Sequence, residues 1–135
     1  MHESEVVEIL SSNETFSAAS LDVLSKMIES GEMKEFSPGE DIVEQGVTGR
    51  WIWVLLDGEL AVLVDGEEVN RVAGRGQVFG EISAVSFTPA TATVRALTPA
   101  KATGISHQVL HRAMEQSPEL AAALLRSMAK YLEGK

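Results

Sequence analysis

The sequence predicts a mainly β protein, an antiparallel sandwich or barrel with one helix before it and two after. Three observations predict this. Glycines at 39, 46, 49, 58, 66, 74, 76 and 80 cut residues 33–105 into short β-rich runs at spacings typical of antiparallel sheets. Ahead of that region lies an N-terminal helical segment, 14–31. There Ser20 is a natural N-cap, Leu21, Leu24 and Ile28 recur at helical spacing, and Gly31 offers a left-handed stop. Behind it, residues 107–133 carry two helical patterns separated by Ser117-Pro118-Glu119, which supplies a cap, a first-turn proline and an acidic first turn.

Taken in order, residues 5–11 suggest no more than a short helical turn. The run 51–56 is apolar at every position, so it should lie centrally in the sheet system, covered on both faces. Asp57-Gly58 and Asp65-Gly66 read as hairpin turns, because a type I′ turn needs φ > 0 at both central residues. Strand 59–64 falls between them. Strands 67–73 and 91–97 are expected to pair on either side of the intervening segment, and 100–106 completes the sheet. In the last helix Leu120, Leu124, Met128 and Tyr131 form one stripe, with Leu125 and Leu132 beside it.

Bulk properties exclude several classes. A chain of 135 residues is one domain's worth, 1–135, with room for a sizeable core. It has no cysteine, hence neither disulfides nor thiolate metal sites, which fits a cytoplasmic protein. No apolar run reaches membrane-spanning length, and the acidic start is unlike a signal peptide, so no membrane partner is expected. The net charge of -9, from 11 basic and 20 acidic residues, opposes nucleic-acid binding.

The chemistry concentrates in residues 79–94. Gly80 permits φ > 0 or a close backbone approach. Ile82 to Val85 is a short apolar segment suited to one helical turn, whose leading N–H groups face outward with partial positive charge. Pro89 ends the turn, and Thr91-Ala92-Thr93-Val94 begins a strand. Turn, amides, the Glu81 carboxylate and strand together make a cradle suited to a phosphorylated sugar.

This segment resembles the phosphate-binding cassette of the cyclic nucleotide-binding domain family. The family pattern is F-G-E, seven residues, then P-R, a small residue, A, T or W, and V. Phe79-Gly80-Glu81 stands at that distance from Pro89 without a gap. Pro38-Gly39-Glu40, Gln45-Gly46, Gly58-Glu59 and Gly74-Arg75-Gly76 extend the likeness over about residues 14–133. The resemblance implies an eight-stranded antiparallel β-roll of the double-sheet jelly-roll type over 33–106, with the cassette at 79–94. It also implies a ligand, cyclic AMP or cyclic GMP, held by Phe79, Gly80, Glu81, Ile82, Ser83, Ala90, Thr91 and Ala92. Glu81 would accept a hydrogen bond from the ribose 2′-OH, and N–H groups near Ile82, Ser83, Thr91 and Ala92 would face the phosphate. The sequence departs from the family at one place: its arginine after the proline is Ala90, and a methyl group cannot pair with a phosphate.

Each singled-out residue has a plainer reading. Glu81 would also complement a helix dipole. Arg95 and Arg75 are the nearest cations in sequence, and Arg95 reads better as a surface charge. His107 and His111 lie four apart, but no HExxH pattern or cysteine accompanies them, so no metal site or cofactor is expected. Trp51 and Trp53 read as core or core-edge aromatics. Ser83 and Ser86 have no histidine nearby in sequence to activate them, so no enzyme is expected. By the resemblance, the DNA-reading helix-turn-helix that follows the last helix in the family's transcription factors is expected to be absent. The expected function is a stand-alone regulatory module that senses a cyclic nucleotide with weakened affinity and signals to a protein partner. By the resemblance, the last helix is a lid or a homodimer seam. The alternative is a degenerate domain that binds no nucleotide and serves as a protein-interaction scaffold.

Overall fold

Two four-stranded antiparallel sheets lie face to face, and a layer of helices covers the outer side of one of them. The structure, a computed structural model, describes residues 2–133, without the side chains of Ile82 and of 130–133. The first sheet has the order β1 (Glu32–Phe36), β8 (Ala100–Ser106), β3 (Trp51–Asp57), β6 (Val78–Phe79). The second has the order β2 (Asp41–Val43), β7 (Thr93–Ala96), β4 (Leu60–Val64), β5 (Glu67–Val72). This is the eight-stranded double-sheet roll expected from the sequence.

Strand β3 is central, as its unbroken apolar run requires. Ile52, Val54 and Leu56 point into the helix layer, while Trp53 and Leu55 point between the sheets. Its two faces therefore join two separate cores, and both of its edges are paired, with β8 and with β6. The helix layer is α1 (Glu3–Ser11), a 3-10 turn (Phe16–Ala18), α2 (Leu21–Glu29), α4 (His107–Gln116) and α5 (Pro118–Glu133). Ser20, Ser106 and Ser117 cap the helices that follow them, each hydroxyl accepting from an N–H three residues on.

Several local expectations are corrected. There are two N-terminal helices rather than one. Residues 3–11 form a nine-residue helix because Val6 and Leu10 bury one face against the core, which local pattern alone does not reveal. Asp57-Gly58 is not a hairpin turn: only Gly58 has positive φ (102°), and β3 and β4 belong to different sheets. A Cβ at Gly58 would lie 2.7 Å from the Pro99 carbonyl oxygen, so glycine lets the chain cross between the sheets there. Asp65-Gly66 does make the expected turn, with φ of 52° and 83°. Strands β5 and β7 do not pair with each other; both pair with β4. The strand expected at 91–97 begins only at Thr93, because residues 91 and 92 bend away with the cassette. Gly31 is not left-handed. It is small because a Cβ would stand 2.9 Å from the Gly104 carbonyl oxygen.

Candidate ligand-binding site

The cassette begins where β6 runs out. Phe79 pairs with Trp53 and is buried, and Gly80 then turns left-handed at φ 80° as the N-cap of the short helix α3 (Glu81–Ser86). Side chains are disfavoured at 80 on two grounds. The positive φ strains them, and a Cβ would sit 3.1 Å from the Trp51 carbonyl oxygen. The first intrahelical bond is Ala84 N–H to Gly80 C=O, so the N–H groups of the first turn precede any helical acceptor. The helix ends at Phe87, itself left-handed (φ 57°), two residues before the proline expected to stop it.

The descending limb is pinned to the loop at 46–49. Ala90 donates its N–H to the Val47 carbonyl (3.0 Å) and accepts from Gly46 N–H (2.8 Å), with a β-bridge between Thr48 and Pro89. Ser83 closes the same seam from inside. Its buried hydroxyl accepts from Gly49 N–H at 2.7 Å and donates to the Thr88 carbonyl at 2.5 Å. The Ser83 side chain is thus a structural tie, occupied on both its donor and acceptor sides.

Between cassette and second sheet lies a pocket of about 220 Å³. Phe79, Gly80, Glu81, Ser83, Ala90, Thr91 and Ala92 all line it, so seven of the eight residues singled out in the sequence converge there. The eighth, Ile82, lies within α3, and its side chain falls outside the described residues. Sequence reasoning missed the floor, which Val43, Val62 and Val94 build across the neighbouring strands β2, β7 and β4. Val94 stands opposite both Val43 and Val62 in register. The available signal was β-branching at inward positions, but three valines from distant parts of the sequence meet only once sheet order is known.

Glu81 supplies the carboxylate of this pocket. Burial pushes its pKa up, partly offset by a hydrogen bond from its own backbone N–H. Among the described residues no basic side chain lines the pocket. Arg95 is turned outward, opposite to Val94, and grips Asp41 through Nε (2.7 Å) and Nη2 (3.3 Å). Arg75 Nε donates instead to the Leu56 carbonyl.

The two histidines hold the cassette to α4. The Phe87 ring stacks on His111 (5.0 Å, 11°) and meets His107 edge-on (5.3 Å, 83°). His111 Nε2 lies 3.2 Å from the Ala84 carbonyl, and His107 Nδ1 lies 3.3 Å from that of Arg50. Among the described residues no α5 side chain lines the pocket; Leu120 and Leu124 face the helix-layer core.

A double-sheet roll with a glycine-led helical cassette over one end of its second sheet defines a class of ligand-binding domain. The chain belongs to the cyclic nucleotide-binding domain family, whose model matches residues 33–117. A domain of this family is a regulatory module. A cAMP-dependent protein kinase regulatory subunit from Debaryomyces hansenii is 36% identical over 110 residues, 80% of this chain and 23% of that protein. The potassium channel AKT2 of Oryza sativa subsp. japonica is 29% identical over 120 residues, 86% of this chain and 14% of the channel. The chain thus spans less than a quarter of either curated relative. Among solved structures, the sensor domain of the transcriptional regulator DNR from Pseudomonas aeruginosa superposes with a TM-score of 0.84 at 22% identity, covering 98% of this chain and 91% of that one. Cyclic-AMP-bound PfPKA-R gives 0.83 at 20% identity, covering 97% and 45%. At these identities the two structures speak for the fold.

Proposed function

We propose that this chain is a non-enzymatic regulatory module that takes cyclic AMP or cyclic GMP in the cassette pocket. The observation that carries the reading is the convergence of Phe79, Gly80, Glu81, Ser83, Ala90, Thr91 and Ala92 on one cavity floored by valines. Glu81 accepts from the ribose 2′-OH, and the cyclic phosphate lies against the amides of the first α3 turn and of Thr91-Ala92. A methyl group at 90 leaves the phosphate without a bidentate partner, so binding is weakened to about tens of micromolar. Signal passes from cassette to partner through α4, which Phe87 and the two histidines tie to α3.

Calorimetric titration with cyclic AMP and cyclic GMP tests this. Saturable binding near the stated strength supports it, and nanomolar binding would overturn the weakening. A second reading, the nucleotide-free scaffold, is favoured by the absence of any basic side chain lining that pocket among the described residues. If neither the natural chain nor an Ala90→Arg variant binds a cyclic nucleotide, the scaffold reading takes over.

A further inference from the structure

We propose that Arg50 is the cation that faces the ligand's anionic group, supplied by the 46–50 loop instead of by the cassette; this rests on the cyclic-nucleotide reading of the pocket above. A second cavity, about 250 Å³, adjoins the first and shares Val43, Gly80 and Ser83 with it as a common wall. Arg50 lines that second cavity, the one basic side chain among the described residues to line either of the two. The other candidates are committed elsewhere: Arg95 to Asp41, Arg71 to Glu68, Lys26 to Asp22, Lys101 to Glu35, and Arg75 to a carbonyl. Lys34 rests over the rings of Trp51 and Trp53, at 5.7 and 6.0 Å.

Arg50 differs from these. Its side chain is exposed and makes no hydrogen bond or ion pair among the described residues. Its backbone, in contrast, is fixed. The His107 N–H donates to its carbonyl at 2.8 Å, and the preceding Gly49 N–H donates to the Ser83 hydroxyl at 2.7 Å. A guanidinium without a protein partner among the described residues, on an anchored backbone one residue from a direct contact with the cassette, is available to meet a charge there. The charge balance of the cavities also calls for it. Glu81 lines the first, and Glu44 and Asp41 line the second, with Asp41 already neutralised by Arg95. Without Arg50 an anion would meet two carboxylates and no opposing cation.

The test is calorimetry with cyclic AMP on the natural chain and on Arg50→Gln, Arg50→Lys, Ala90→Arg and Arg50→Gln/Ala90→Arg. One charge-assisted contact corresponds to about 10- to 100-fold in Kd, so Arg50→Gln should weaken binding by that factor. Arg50→Lys should keep part of the affinity, and Ala90→Arg should restore it in the Arg50→Gln background. Salt should weaken the natural chain more steeply than Arg50→Gln. Quenching of Trp51 and Trp53, which line the second cavity, gives an independent readout of occupancy. An unchanged melting temperature of Arg50→Gln would show that any loss is not unfolding. If Arg50→Gln binds as tightly as the natural chain, Arg50 is idle and the proposal falls while the cyclic-nucleotide reading stands. If the natural chain does not bind but Ala90→Arg does, the pocket is right and Arg50 is not its cation. If neither binds, the reading and the proposal fail together.

Discussion

At residue 90 the side chain is a methyl group, but the backbone beneath it is held on both sides by Gly46 and Val47. An arginine placed there would be launched from a fixed point into a pocket that Ala90 already lines. Charge-assisted hydrogen bonds contribute about 1.5–3 kcal/mol each before desolvation and side-chain ordering are subtracted. Ala90→Arg should therefore tighten cyclic AMP by about 2–4 kcal/mol, on the order of 30- to 700-fold, as read by calorimetry. Glu81 gives a second residue-scale prediction, about pH. Its carboxyl is raised in the folded chain by burial, above the ordinary 4.5. Below 4.5 the carboxyl is protonated in both folded and unfolded chains, and burial costs nothing extra. As pH rises from 4.5 towards the raised value, the unfolded chain loses its proton first, so the folded chain binds more protons and stability falls. Glu81→Gln removes this loss. The variant should melt higher than the natural chain at pH 7, and the gap should close as pH is lowered through that window. A gap independent of pH would show that ionisation of Glu81 carries no cost.

Among the elements, α5 makes the clearest energetic claim. Leu124 is 1% exposed within the helix-layer core, whereas its neighbour Leu125 is 60% exposed. Leu124→Ala should cost about 2–5 kcal/mol in denaturant unfolding, and Leu125→Ala should stay within about 0.5 kcal/mol. Equal effects would mean that the stripe does not face the core as described. Of the expected stripe, Leu120 is buried and Met128 half-buried, while Tyr131 and Leu132 lie outside the described side chains. Legibility follows the same division between local and distant causes. The strand β3, the capped helices α2, α4 and α5, and the Asp65-Gly66 turn were readable because each is decided within a few residues. The sheet switch at Gly58, the close approach at Gly31 and the valine floor were not, since each depends on a partner far along the chain. Seven residues that line the candidate pocket were legible because the cassette is contiguous. The proposed role of Arg50 was not, because only the Ser83 tie to Gly49 brings its loop beside the cassette. His107 and His111 were legible as a pair on one helix face, but Phe87, the group they grip, belongs to another element.

On the scale of the whole molecule, charge decides which large partners are open to this chain. Its net charge is -9, and four of its basic side chains, Lys26, Arg71, Arg95 and Lys101, already face acidic partners. The remaining described cations are spread over the molecule. Lys34 on β1 covers two tryptophans of β3, Arg50 stands just before β3, Arg75 bonds a carbonyl in a turn, Arg112 sits on α4 and Arg126 on α5. Nucleic-acid affinity arises chiefly from counterions released when several Lys and Arg neutralise neighbouring phosphates, and it falls steeply with salt. Dispersed cations in a field of excess carboxylates release few counterions and repel the backbone at distances up to about 8 Å at physiological ionic strength. The chain should therefore show no retention of duplex DNA in a gel shift at micromolar protein and about 0.15 M salt. Adding cyclic AMP should not change this, because one monoanionic ligand leaves the charge distribution of the surface almost unaltered. Micromolar retention that weakens as salt is raised would demand a basic surface that these side-chain positions do not provide, and would overturn the prediction.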